Sequence, residues 1–320
     1  MAIEHACVRV VQKPWGNTDL LPWSEVQHDG AAIGELWFQR ANMNAPDPAL
    51  LLKLLFTKEP LSIQVHPDDA FAQSIGLGNG KTEAWYILSA APDAKVAVGL
   101  TRQLTAAELR CAIDDGSIAG LVQWRAVGKD DIVYVPAGTI HAIGPGLVLA
   151  EIQQRSDATF RLFDHGRVRE LHVDNAVAAA FAGPAAESQP AAKRLTDART
   201  LLVASPYFVL ERIDFAPKSN WDIAAGQETW LLVLEGHAQV GPMNAFVGEA
   251  IFLEAETTSI QVGGDGLRAL LAYAGADPVA GLLHNRDGQN VGFPVPGQPP
   301  IAPFQPAKAG PPAAKTEMRP

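Results

Sequence analysis

The sequence predicts a mainly β chain of two β-barrels with a small helical insertion, and three observations carry that expectation. Alternating or solid apolar runs bounded by Gly, Pro and Asp fall in two blocks, one ending near residue 180 and one spanning about 201 to 274. A capping box, Thr105-Ala-Ala-Glu108, marks a helix between strand-like segments. Gln64, His66, Glu83 and His141 follow one another in the order of ligands on a metal-binding barrel.

Taken in order, Asp47-Pro48 and the run Ala49-Leu-Leu-Leu-Lys-Leu-Leu-Phe56 read two ways. Asp as N-cap with Pro at the first position suits a helix, while a short, nearly unbroken apolar run suits a buried strand equally. Leu61, Ile63 and Val65 alternate with Gln64 and His66. On a strand the two polar side chains would leave by one face, opposite the aliphatic ones. Glu83 precedes Trp85-Tyr-Ile-Leu88, a run of strand composition, and His141 follows a Pro136-Ala-Gly138 turn that ends the strand-like Asp131-Ile-Val-Tyr-Val135. Leu104 and Leu109 flank the capping box as a hydrophobic staple, so a helix from Ala106 to about Asp115 should end at Gly116. Such an insertion, near 105–118, would be placed to roof one end of a pocket.

Two imidazoles, a carboxylate and an amide oxygen suit a divalent ion of the Zn, Mn, Co or Fe type. The amide is a weak ligand, which leaves positions for water or substrate oxygens and makes the centre read as catalytic. The alternative is that each His is a hydrogen-bonded core or surface residue, the usual state of a lone His on a strand.

The chain resembles the type I phosphomannose isomerases (mannose-6-phosphate isomerases) in their short bacterial, two-cupin form. Six motifs carry the resemblance: Lys13-Pro-Trp-Gly16, Ile33-Gly-Glu-Leu-Trp37, Pro60-Leu-Ser-Ile-Gln-Val-His-Pro-Asp-Asp69, Lys81-Thr-Glu-Ala-Trp-Tyr86, Pro136-Ala-Gly-Thr-Ile-His-Ala142 and Gln154-Arg-Ser-Asp-Ala-Thr-Phe-Arg-Leu-Phe-Asp164. All lie in the first half, and the second half resembles the family only in its pattern of strands and glycines. The resemblance implies two cupin (jelly-roll) barrels and decides Ala49–Phe56 as a strand. It also implies a metal-dependent aldose-ketose isomerase that interconverts mannose 6-phosphate and fructose 6-phosphate. One divalent ion would be held by Gln64, His66, Glu83 and His141, with Zn2+ first and Mn2+ or Co2+ as alternatives. Arg161, in the Ser-Asp-x-Thr-x-Arg segment, would belong to the active site and hold phosphate or an enediolate oxygen, since guanidinium binds such groups through paired hydrogen bonds.

Lys81 stands two residues before Glu83, where a nearby cation and burial would both lower its pKa and let it accept the C2 proton. It could equally pair with a carboxylate or touch phosphate, and Glu151, Asp157 or Asp164 could be the base instead. Ser62, between apolar residues, reads as a strand residue. Gly76-Leu-Gly-Asn-Gly80 lacks the spacing of a phosphate-cradling loop and reads as turn, or as a mobile rim. Other readings are a different cupin enzyme, either another sugar isomerase or a metal-dependent oxygenase, and a non-catalytic sugar-phosphate-binding cupin.

These readings divide the chain into a metal-binding domain over 1–180, a connector over 181–198, a second barrel over 199–280 and a Pro/Gly-rich tail over 281–320. In the second barrel, Tyr207–Phe215, Thr229–Leu234 and Glu249–Leu253 read as strands, and the solitary His237 beside a turn reads as structural, so no metal is expected there. The tail, with Pro every few residues, should be extended on the surface or disordered, and it departs from the short family form. With 320 residues, 48% of them hydrophobic, the chain can bury a large core. Cys7 and Cys111 do not form a disulfide framework, and neither a signal peptide nor a membrane span is legible, so the expectation is a cytoplasmic protein. A net charge of −10 argues against nucleic acid and anionic membranes as partners. It also requires a locally positive pocket for a sugar phosphate. Monomer and homodimer are both compatible.

Overall fold

A computed structural model describes residues 2–27, 29–185 and 191–288. Its strands are β1 (Ala2–His5), β2 (Cys7–Asn17), β3 (Ile33–Gln39), β4 (Leu50–Thr57), β5 (Ile63–Val65), β6 (Glu83–Ala90), β7 (Lys95–Leu100), β8 (Val122–Ala126), β9 (Ile132–Val135), β10 (His141–Ile143), β11 (Leu147–Gln154) and β12 (Phe160–Phe163). The second half adds β13 (Lys193–Arg194), β14 (Arg199–Ala204), β15 (Phe208–Phe215), β16 (Asn220–Ala225), β17 (Thr229–Val240), β18 (Met243–Ala245), β19 (Ala250–Glu254), β20 (Glu256–Ala274) and β21 (Leu283–Asn285). Short helices α1 (Asp69–Ser74), α2 (Ala106–Asp114) and α3 (Val173–Ala179) complete the set. The chain is mainly β, as expected, but the sheets are open rather than closed barrels. A six-stranded sheet, β2-β3-β4-β11-β6-β9, faces a five-stranded one, β12-β5-β10-β7-β8, and a ten-stranded sheet holds the remaining strands.

Residue alternation explains how these sheets stack. From the six-stranded sheet, Leu55, Trp85, Ile87, Val133 and Leu149 point inward and meet Val96, Val98 and Ile143 of the five-stranded sheet. The residues between them, among them Leu54, Phe56, Tyr86 and Ile152, point the other way onto Phe208, Leu210, Trp230, Phe252 and Leu270 of the ten-stranded sheet. Every residue of β4 is therefore buried, which is why its sequence is a nearly solid apolar run without a polar face.

The capping box forms as the spacing predicts: Thr105 Oγ1 accepts from the Glu108 N–H while the Glu108 carboxylate accepts from the Thr105 N–H. Gly116, at φ 77°, ends the helical segment in the left-handed region that glycine tolerates. The helix does not roof the pocket. Leu104, Leu109, Ala112 and Ile113 pack with Ala176 of α3 onto Ile63, Val65, Ala142 and Leu162, covering the face of the five-stranded sheet opposite the cavity.

Strand pairing also crosses the division expected from the sequence. β1 pairs with β19, so the first residues of the chain extend the ten-stranded sheet. Ala182 and Gly183, from the expected connector, accept hydrogen bonds from Leu104 and Leu100, and β21 pairs with β16 beyond residue 280. The tail from 289 onward lies outside the described residues. In the second half, Glu211 is fully buried and takes two hydrogen bonds from Arg199 and one from Tyr273. His237 stacks on Phe246.

Because Leu54 is sealed between two sheets, Leu54→Ala should lower stability by about 2–5 kcal/mol. Thr105→Ala, which removes one exposed cap, should cost about 0.5–2 kcal/mol. Urea unfolding midpoints of the two variants would test this order, and a smaller shift for Leu54→Ala would show that inter-sheet packing does not dominate.

Candidate metal centre and its cavity

Three adjacent strands of the five-stranded sheet set the first row of the site. Gln64 on β5 is paired with His141 on β10 and with Arg161 on β12, so these three residues stand side by side. Ile63 and Val65 turn to the helix side, leaving Gln64 to face the cavity, as the alternation predicts. His66 follows directly after β5. Facing them, Glu83 opens β6, and its two neighbours across the ladder are Gln153 and Val135.

His66, Glu83 and His141 are all buried, and one potential ligand atom from each lies within 4.8 Å of the others. Backbone carbonyls fix both imidazoles. His66 Nδ1 donates to Ala158 O at 2.8 Å and His141 Nδ1 to Thr139 O at 2.8 Å, which leaves each Nε2 an acceptor beside Glu83, and in the metal-free chain Lys81 Nζ donates to His66 Nε2 at 3.0 Å. Glu83 Oε2 lies 3.4 Å from His66 Nε2, and Glu83 Oε1 lies 3.5 Å from His141 Nε2. Oε2 is buried and accepts no hydrogen bond, although Lys81 Nζ stands 3.0 Å away as its ion-pair partner. Two imidazole nitrogens and an unsatisfied carboxylate oxygen fit a divalent cation. Gln64 lies beside this group, with its Nε2 3.2 Å from His141 Nε2 and its Oε1 accepting from Ser62 Oγ at 3.2 Å. A half-turn of the amide would present Oε1 instead. Ser62 is thus more than a strand filler.

Burial and neighbouring charge keep this cluster in the protonation state that a metal requires. Burial, joined by the Lys81 charge, pushes His66 down to about 3. Burial likewise lowers His141. For Glu83, burial acts to raise the pKa, but Lys81 and His66 outweigh it and hold the carboxyl well below its ordinary value. Lys81 departs from expectation. Burial lowers its proton affinity, yet the facing Glu83 and Glu151 carboxylates more than reverse this and raise it. The metal-free chain therefore holds an ammonium there.

Lys81 and Gln64 are on the wall of a cavity of about 230 Å³. Lys13, Lys53, Arg161 and Arg169 share that wall with Glu35, Glu151 and Asp157, so the acidic chain carries a pocket where basic groups outnumber acidic ones. Arg161 Nη1 donates to Glu170 O at 2.6 Å, while its Nε is buried without a hydrogen-bond partner. Asp164 faces Arg169 and Arg167 and is drawn into hydrogen bonds with both. Gly80 is buried, and a Cβ there would lie 2.6 Å from the Asp68 carbonyl carbon. That close approach, with Lys81 N–H donating to Pro67 O, pins the segment before Lys81.

Sequence reasoning assigned no role to Lys13, Glu35, Lys53 or Arg169. Lys13 and Glu35 sit inside quoted motifs and pair at 3.2 Å. Lys53 pairs with Glu151 at 3.2 Å with both side chains almost fully buried, and a single lysine inside a run of leucines was the available signal.

No family model matches the chain. It is 39% identical over 194 residues to a mannose-6-phosphate isomerase of Streptococcus mutans, covering 57% of this chain and 61% of that protein. It is 37% identical over 161 residues to a mannose-6-phosphate isomerase of Bacillus subtilis, covering 47% and 51%. The alignments thus span between half and two thirds of these curated relatives. The crystal structure of the mannose 6-phosphate isomerase from Bacillus subtilis superposes with a TM-score of 0.74 at 26% identity, over 85% of this chain and 99% of that one. Matched in sequence over about half of its length and in fold over most of it, the chain is similar to mannose-6-phosphate isomerases.

Proposed function

We propose that the protein is a metal-dependent aldose-ketose isomerase acting on mannose 6-phosphate and fructose 6-phosphate. The observation that carries this reading is a buried His-Glu-His group that adjoins, through Gln64 and Lys81, a cavity wall rich in lysine and arginine. An oxygenase would call for an apolar substrate cavity, and the five basic side chains on this wall speak against it. A sugar phosphate brings both the oxygens a metal binds and the anion that basic groups bind.

Isomerisation removes the proton from C2 of the aldose, leaves the electron pair in a C1–C2 double bond, returns a proton to C1, and moves a proton from O2 to O1. His66, Glu83 and His141, with Gln64 beside them, would hold one divalent ion, Zn2+ first and Mn2+ or Co2+ as alternatives. Such an ion would supply positive charge to the sugar oxygens and, beside Lys81, make the ammonium easier to deprotonate. Arg161 offers its unpartnered Nε to phosphate or to the enediolate oxygen. Lys81 and Glu151 both stand where a proton could be carried. Glu151 is raised by burial first and by the Glu83 charge second, the direction that suits a carboxyl acting as a proton carrier.

Chelator-stripped protein should not interconvert the two sugar phosphates, and added Zn2+, Mn2+ or Co2+ should restore turnover in a coupled assay. Failure with every ion, despite one bound per chain, would remove the isomerase reading. His141→Ala should lose metal on dialysis and activity with it. Arg161→Ala should retain metal while kcat/KM falls by about 10²- to 10³-fold. Full activity in either variant would contradict its role.

A further inference from the structure

We propose that Trp85 is a positioning residue for the metal centre: its indole N–H fixes one oxygen of Glu83 against the neighbouring buried carboxylate Glu151 and so presents the other oxygen to the ion. This inference rests on the metal reading above.

Trp85 has no exposed surface and sits on the same face of β6 as Glu83, two residues on. Its Nε1 is 3.0 Å from Glu83 Oε1 and 3.2 Å from Glu151 Oε2, so one donor is shared between two carboxylates. Glu151 stands directly across the ladder from Trp85, and its other oxygen pairs with Lys53. The division of labour on Glu83 follows. Oε1 is taken by the indole, while Oε2 accepts no hydrogen bond, has the Lys81 ammonium as its ion-pair partner at 3.0 Å and lies 3.4 Å from His66 Nε2. The ring itself meets His141 edge-on, with centroids 5.6 Å apart, so Trp85 touches two of the three potential ligands.

The same local device occurs elsewhere in the chain, which supplies a control. Trp37 donates to Glu35 and Trp230 to Glu228, in each case two residues back along the chain. Among the described residues, only at Trp85 does the donor bridge to a second carboxylate and hold a member of the His-Glu-His group. Core packing alone would require the ring, not the N–H.

The test is Zn2+ affinity of the full chain, read by competition with a colorimetric chelator, for wild type, Trp85→Phe and Trp230→Phe. Trp85→Phe should weaken Zn2+ binding by about 10- to 100-fold and shift the visible absorption of the Co2+-loaded protein, whereas Trp230→Phe should leave both at wild-type level. If Trp85→Phe does not fold, replacing Trp85 by benzothienylalanine keeps the ring shape and removes only the N–H, with the same weakening expected. Wild-type affinity in the folded Trp85 variant, or equal loss in Trp230→Phe, would overturn the inference alone. Absence of Zn2+ binding by wild type would overturn the metal reading and this inference with it.

Discussion

The six-stranded sheet is covered on both faces, and the rest of the molecule depends on how its side chains are divided between them. One face is mostly apolar because it packs on the ten-stranded sheet, while the other carries Lys53 and Glu151 to the cavity wall and Glu83 and Trp85 beside it. Strand periodicity is two, so a slip of one residue in β4 would exchange Lys53 for Leu54. It would bury an ammonium in the inter-sheet interface, a displacement that costs several kcal/mol when the charge has no partner. Glu228, from the second half of the chain, helps hold the register: it accepts from the N–H groups of Ala49 and Leu50, just where β4 begins, and from Trp230. The second half thus does structural work for the site without contributing to its lining.

Buried charge is the second consequence. Lys53 with Glu151 and Lys81 with Glu83 are ion pairs with little access to water, and such pairs seldom stabilise a fold beyond what apolar residues of like volume would do. Their presence in a sheet otherwise filled with leucine and valine marks the region as built for chemistry at some expense in stability. Indole donors temper that expense by giving carboxylates a partner without adding another charge.

Local signals were legible in the sequence where local physics decides the structure. The Gln64/His66 alternation, the Thr105–Glu108 cap and the Gly116 stop each depend on a few adjacent residues, and each appears in the structure. Ala49–Phe56 could not be settled by periodicity, because a strand buried on both faces has none to show. The helix over 106–114 was recognised, but its docking face depends on which sheet lies beneath it, a tertiary fact. The pairing of β1 with β19 joins residues some 250 positions apart and leaves no local trace. Lys53 shows the same limit from the side of function: its spacing in a leucine run was visible, but its partner Glu151 became evident only when β4 and β11 lay side by side.

Charge balance inside the cavity reconciles an acidic chain with the anionic substrate proposed for it. Five basic side chains, Lys13, Lys53, Lys81, Arg161 and Arg169, line the cavity. Three carboxylates, Glu35, Glu151 and Asp157, share that lining. With all of these groups ionised the lining keeps a surplus of two positive charges, the match for a phosphate dianion. Burial also raises the Glu151 pKa, a shift in the same direction that needs no long-range field from the rest of the surface. Attraction of the proposed substrate would then act within the cavity, over distances shorter than the roughly 8 Å at which physiological salt screens charge. The net charge of −10 belongs to the outer surface and does not decide what the cavity binds.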